Sequence, residues 1–426
     1  MTPPSMGPLG VLLAGDGEDW EPPALDALQG ARDLVLLRRC LDLTELLAAA
    51  TNGSAQVAVV GHRSHGLDRD AVDRLAASGV RVVVVVADAG TTAASYSQER
   101  ERLGRLGVAE VLPAAATGTD LARVVREAAL REDADLAPHD PSDPGGPGGP
   151  VLLPGTGGAD GRLVAVWGAH GAPGRTTVTV GLGAALAARG VPVLLVDADP
   201  HGGAVAQHLG VLDEASGLLG AVRLANAGSL DVTRLAGCAR TVEPGLAVLT
   251  GLPRADRWQE VRPGPLGDVL DGARALADVV LVDAGAGLEP PPAPGMPVPR
   301  SREALVTGVL EAADEVLVVA SPDPVGLTRL ARALVDLRAV RADGPSHVVV
   351  NRMRAGLGWR ERDVADMVAR VCPAAPVVFV PDDPATADKA MVAGRTVAQV
   401  DPRGSSRLGS GLARLAARVG QTVRSR

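Results

Sequence analysis

Short, nearly unbroken runs of Val, Leu and Ala recur along the chain, separated by segments whose apolar residues return every three or four positions. In the first third the runs are Leu9–Ala14, Val57–Val60 and Val82–Val86, with helical periodicity over Leu67–Ser78 and Thr119–Leu130. The stretch GVAEVLPAAATGTDLARVVREA reads as strand, loop and a last amphipathic helix. Further on, LVAVWG, VPVLLVDAD, ADVVLVD, ADEVLVVA, HVVVN and APVVFVP read as strands, and Arg175–Arg189 as a helix behind the first of them. Runs this apolar suit strands covered on both faces. Strands alternating with helices predict an α/β fold with mostly parallel sheets in both halves.

The pattern breaks twice. HDPSDPGGPGGP carries Pro and Gly without apolar periodicity and reads as a flexible linker. It sets an expected organisation of a first domain over 1–131, a linker over 132–160 and a second domain over 161–426. The second break, LEPPPAPGMPVPR over 288–300, reads as a surface loop between two strands, with a lid or partner-binding segment as the alternative.

Three motifs in the second domain carry chemistry. In VAVWGAHGAPGRTTVTVGLGAALA a strand enters a Gly-rich turn that opens a helix. That geometry aims backbone N–H groups and the positive helix end at an anion. Gly168, Gly171 and Gly174 permit close approach, Thr176 is placed to coordinate Mg²⁺ and Thr177 to contact phosphate. One strand later, Asp197 and Asp199 alternate at a strand's carboxyl end, where ligands of such sheets bind. Asp283 ends the apolar run DVVLVD in the position of a metal-directed carboxylate.

Composition narrows the function class. The formal net charge is −8, and the aromatics are four Trp, one Tyr and one Phe. A nucleic-acid partner wants a basic stripe and stacking rings, so none is expected. Cys40, Cys238 and Cys372 stand apart, without metal-ligand or redox spacing. No apolar run reaches the roughly 20 residues of a membrane span, and the start lacks a signal-peptide pattern, so a cytoplasmic protein is expected. Lys389 is the only lysine among 42 basic residues and isoleucine is absent, which points to a GC-rich bacterial genome such as an actinomycete's.

The order of these motifs resembles the deviant-Walker-A ATPases typified by MinD and ParA, over roughly residues 162–420. Their loop KGGxGKTT aligns with HGAPGRTT, from His170 to Thr177. Their DxD strand end matches Asp197 and Asp199, and their Walker-B aspartate matches Asp283. The resemblance implies a base site walled by Asn351 and by Pro381, Asp382 and Asp383, with ATP and Mg²⁺ as cofactors. It assigns the metal to Thr176, Asp199 and Asp283, catalysis to Asp199, Asp283 and Arg175, and implies a homodimer. Two departures bear on activity. His170 replaces the lysine that reaches the partner's nucleotide, and Arg175 replaces the loop lysine on the β- and γ-phosphates. Arg is longer and planar, so the exchange is not equivalent at a tight phosphate site. Pro173 also removes a backbone N–H from the cradle.

Residues 8–130 resemble a response-regulator receiver, a doubly wound domain. Gly61 stands where the phosphoacceptor ends its strand, Ala114 where the lysine is expected, and Asp16 is the one acid read into the acidic pocket. The resemblance is therefore to a pseudo-receiver, for docking or dimerisation. A pseudo-receiver joined to a MinD-like domain is similar to the CpaE/TadZ layout, which implies localisation of a Tad/Flp-type pilus or secretion system with weak or absent ATPase activity. Septum site determination and an active MinD/ParA switch are the alternatives. Implied partners are pilus, secretion or division proteins. The tail places Leu408, Leu412, Leu415 and Val419 on one helical face. It is expected to pack on the domain, with peripheral membrane contact at a pole or septum as the alternative.

Overall fold

The computed structural model describes residues 8–15, 17–87, 93–130, 161–171, 174–211, 216–288 and 301–424. The expected linker, the insert from residue 289, and Asp16 and Pro173 lie outside the described residues. The described residues divide into two compact units, one drawn from Met1–Pro144 with Leu224–Ser229, the other from Gly145–Arg223 with Leu230–Arg426.

The first unit is a five-stranded parallel sheet. Its strands are β1 (Leu9–Ala14), β2 (Leu34–Cys40), β3 (Val57–Gly61), β4 (Arg81–Val86) and β5 (Glu110–Pro113), in the order β2-β1-β3-β4-β5. This is a doubly wound order with a switch point between β1 and β3. Strand periodicity splits the apolar residues between two cores. Leu12, Val60, Val82 and Val84 face one layer of helices, and Val11, Leu13, Val59, Val83 and Val85 the other. The edge strand β2 escapes periodicity because Val35, Leu37, Arg38 and Arg39 are all exposed.

Trp20 and Glu21 crowd the carboxyl ends of β3 and β1. Gly61 ends β3 in a buried position, and a Cβ there would meet the Trp20 ring at 3.4 Å. Trp20 is 3% exposed and its indole donates to Glu18 at 2.8 Å. The buried Glu21 carboxylate accepts from the Glu18 backbone N–H at 3.0 Å and pairs with Arg39 at 2.7 Å. No carboxylate ends β3, so the expected result with acetyl phosphate is no acid-labile phosphate on residues 1–130. Intact-mass spectrometry at neutral and acidic pH checks this.

The second unit is an eight-stranded sheet ordered β13-β12-β11-β6-β10-β7-β9-β8. Its strands are β6 (Arg162–Trp167), β7 (Val193–Ala198), β8 (Arg240–Glu243), β9 (Leu246–Leu249), β10 (Val279–Ala284), β11 (Glu315–Ala320), β12 (His347–Met353) and β13 (Val377–Pro381). All pairings are parallel except the edge pair β8–β9. Strands β7, β10 and β11 are buried along their whole length, as their unbroken apolar runs require.

The last helix, Arg407–Arg424, resolves the reading of the tail. Leu408, Leu412, Leu415, Ala416 and Val419 are buried in the core cluster that includes Val164, Leu182 and Leu195. Gly181 lets this helix close in, since a Cβ there would sit 2.4 Å from Leu412 Cδ1. The apolar stripe is thus occupied within the fold. Among the described residues no helix is long and apolar enough to cross a membrane.

Candidate functional site

The candidate site lies at the carboxyl ends of β6, β10 and β7, three neighbours at the centre of the sheet. After β6 the chain runs through Gly168 to Gly171, which has φ 71°, and re-enters at Gly174, with φ 88°, as the cap of the helix Arg175–Ala187. Left-handed backbone is the conformation glycine adopts without Cβ strain. The turn leaves the first N–H groups of that helix unspent within it. Both glycines are also closely faced: a Cβ on Gly171 would lie 2.2 Å from Arg329 Nη1, and one on Gly174 2.4 Å from Asn351 Nδ2.

Register brings the carboxylates together. Asp283 on β10 pairs with Asp197 on β7. Asp283 accepts from the Thr176 hydroxyl at 2.6 Å and from that of Thr179 at 3.3 Å. Asp197 accepts from the backbone N–H of Asp199 at 3.4 Å and of Val205 at 3.1 Å. It is walled by Gly203 and Gly251, where a Cβ would come within 2.1 Å and 2.5 Å of its carboxyl atoms. Asp197 therefore positions the loop after β7. Asp199 is the carboxylate that loop presents, and it accepts from the His201 N–H at 2.9 Å.

Arg175 turns back into the loop. It donates to the Gly168 carbonyl at 3.0 Å and lies 3.5 Å from the Asp199 carboxylate, with the two side chains 16% and 17% exposed. His170 sits at the exposed tip of the turn, its ring 6.3 Å from that of His201. Thr177 follows Thr176 on the first helical turn and is half-buried. Asn351 is buried on β12 behind Gly174. Pro381 ends β13, the Asp382 N–H donates to Met353 O at 2.9 Å, and Asp383 caps the next helix through Thr386 N at 3.2 Å.

The structure brings Gly168, Gly171, Gly174, Arg175, Thr176, Asp199, Asp283 and Asn351 to one end of one sheet. Reading the sequence missed Thr179, one helical turn past Thr176, which shares Asp283 with it. It also missed His201 and Arg329. The signal for Arg329 was the helix start SPDP after β11, where Asp323 caps Pro324–Val340.

Burial dominates the electrostatics. It pushes the Asp283 carboxyl up to about 6, offset by the Thr176 hydroxyl and the charge of Arg175. Burial, then the facing Asp283, pushes Asp197 well above the usual carboxylate range. Among the described residues no three His, Cys, Asp or Glu side chains are grouped to hold a metal unaided. Thr176, Asp199 and Asp283 are hard oxygen donors, and they suit Mg²⁺ that takes its other ligands from phosphate and water.

Asp283 takes up its proton at higher pH folded than unfolded, so the folded chain binds more protons between about pH 4 and pH 6. Its contribution is present below that window and lost as pH rises through it. Asp283→Asn should therefore raise ligand-free stability relative to wild type at pH 7.5. The gain should shrink toward zero by pH 4. Urea unfolding of both proteins across pH 4–7.5 measures it, and a pH-independent difference would contradict the burial argument.

Residues 164–392, over half of the chain, match the CobQ/CobB/MinD/ParA nucleotide binding domain family. No curated protein matches the chain. Among solved structures, the cell division ATPase MinD of Pyrococcus furiosus is 22% identical with a TM-score of 0.49, covering 62% of this chain and 99% of its own. The septum site-determining protein MinD of Pyrococcus horikoshii, complexed with Mg-ADP, is 19% identical with a TM-score of 0.49, covering 62% and 97%. A ParA family ATPase of Chlorobium tepidum is 19% identical with a TM-score of 0.49, covering 60% and 98%.

Proposed function

The chain belongs to the CobQ/CobB/MinD/ParA nucleotide-binding family, and we propose that within it the protein is a MinD-like positional regulator with weak nucleotide binding and slow or absent hydrolysis. On this reading it seats ATP with Mg²⁺ and marks the cellular site where a Tad/Flp-type pilus or secretion system assembles, as CpaE/TadZ proteins do. It acts as a homodimer, and the first unit serves docking rather than phosphotransfer.

The observation that carries the reading is the engagement of Arg175. The glycine turn and the Thr176–Asp283 pair keep the parts that seat a phosphate and a cation. The cation on the helix is held by Gly168 O and Asp199, and the loop tip offers a histidine. Thr176, Asp199 and Asp283 would hold Mg²⁺, which when bound would draw charge from the phosphates. Phosphoryl transfer depends on positioned charge, so this set favours binding over turnover. The net charge of −8 favours protein over nucleic-acid partners.

Two measurements test the reading. Titration of the full chain with Mg-ATP should show binding, with turnover below about 1 s⁻¹, the low end of ordinary enzymes. A fluorescent fusion in the native bacterium should form a polar focus that Thr176→Ala disperses. A septal band would move the reading to division-site placement, and rapid turnover to an active switch.

A further inference from the structure

A cavity of about 190 Å³ opens beside the phosphate loop, on the side of β11 and β12 rather than of the carboxylates. Arg329, Arg352 and Arg354 line it, with Asp323 and the peptides of Gly171 and Gly326. We propose that this cavity is an oxyanion site for a phosphoryl group, completed by arginines that stand outside the loop motif.

Three observations carry it. The charge is unbalanced: three guanidiniums face one carboxylate, leaving two positive charges in excess. That carboxylate is already committed, since Asp323 accepts from the Ser321 hydroxyl and from Gly326 N at 2.9 Å, which hold its carboxyl below the usual range. Among the described residues, Arg329 and Arg352 pair with no carboxylate, and Arg354 donates to the Arg352 carbonyl at 3.2 Å.

The second observation is backbone geometry. Arg352 has φ 58°, the one non-glycine residue among those described with a positive φ. It lies where the β12–β13 register shifts between Val350 and Met353. Such a bulge turns a side chain away from its strand alternation and costs energy that surrounding structure must offset. Here it buries Asn351 behind Gly174 and leaves the next side chain on the cavity.

The third is contact with the loop. The Arg329 guanidinium occupies the space a Gly171 side chain would need, so the loop and the cavity share a wall. A guanidinium fork matches phosphate oxygens in a two-point fashion. The phosphoryl group has two sources: the terminal phosphate of a nucleotide seated on the loop, or a free phosphate. The first rests on the reading proposed above, and the second does not.

The test uses the full chain and an Arg329→Gln/Arg354→Gln variant, both exposed positions, with unchanged melting as the control for folding. ATP, ADP and inorganic phosphate are titrated separately by calorimetry. If the occupant is the terminal phosphate, ATP affinity should fall about tenfold or more while ADP affinity moves little. If it is free phosphate, phosphate binding should be lost and nucleotide affinities kept. Arg329→Lys should retain part of either effect, because charge survives without the fork. Equal affinities for all three ligands in wild type and variant would overturn the site even if nucleotide binds well. Phosphate binding lost in the variant would sustain it even if no nucleotide binds.

Discussion

Gly174→Ala should reduce ATP affinity by about tenfold or more, with a loss of only a few degrees in melting temperature. Two costs act at this position. The backbone is left-handed at φ 88°, ψ 27°, which is unfavourable for a residue with a Cβ by about 1–2 kcal/mol. The new methyl would also lie 2.4 Å from Asn351 Nδ2 and 3.8 Å from Thr177 Cβ. Asn351 is buried, so it can yield only by leaving its place beside the loop. One methyl group thus displaces both the phosphate turn and the asparagine proposed for the base. Gly190→Ala is the matched control: its φ is +79°, yet nothing lies within 4 Å of the added Cβ. It should lower melting similarly and leave ATP affinity unchanged. Calorimetric titration and thermal melts of the three proteins decide this, and wild-type affinity in Gly174→Ala would count against the loop as the binding site.

The largest kinetic effect is expected from restoring lysines. His170→Lys/Arg175→Lys should raise ATP turnover by about 10²–10³, the range set by one preorganised donor. Arg175 spends its guanidinium on two acceptors at once, Gly168 O at 3.0 Å and Asp199 at 3.5 Å. A lysine has no planar fork to bridge them, so Arg175→Lys alone should free Asp199 and strengthen Mg-ATP binding more than turnover. His170 stands at the exposed tip, next to His201, and in the proposed homodimer it replaces the lysine that the family resemblance assigns to the partner's nucleotide. His170→Lys alone should act on turnover only at protein concentrations that support dimers. Steady-state hydrolysis measured against protein concentration separates the two contributions. A wild type already as fast as the double variant would remove the basis for a slow regulator.

Apolar patterning along the chain marks which segments are buried and in what order chemistry appears along them. Runs such as VVLVDA and EVLVVA, short and rich in β-branched residues, read as strands covered on both faces, and the strand–glycine–helix passage at Gly168–Thr176 locates an anion cradle. Two of the four edge strands, β2 and β8, were not legible. In β2 and β8 solvent takes one side, Arg38, Arg39, Arg240 and Thr241 are exposed, and alternation no longer separates strand from loop. Tertiary structure alone decided which residues share a partner. Pairing of Asp283 with Asp197 comes from the β10–β7 register, and the carboxyl's upward shift comes from burial that local sequence does not encode. Arg175 follows the loop in sequence; only the fold shows that it donates to Gly168 O at 3.0 Å and lies 3.5 Å from Asp199. Arg329 and Arg352 lie far along the chain from the loop, and no spacing rule connects them to Gly171. They meet because β11, β12 and β6 end at the same edge of one sheet, and a long-range contact of that kind is a property of strand order, not of neighbouring residues.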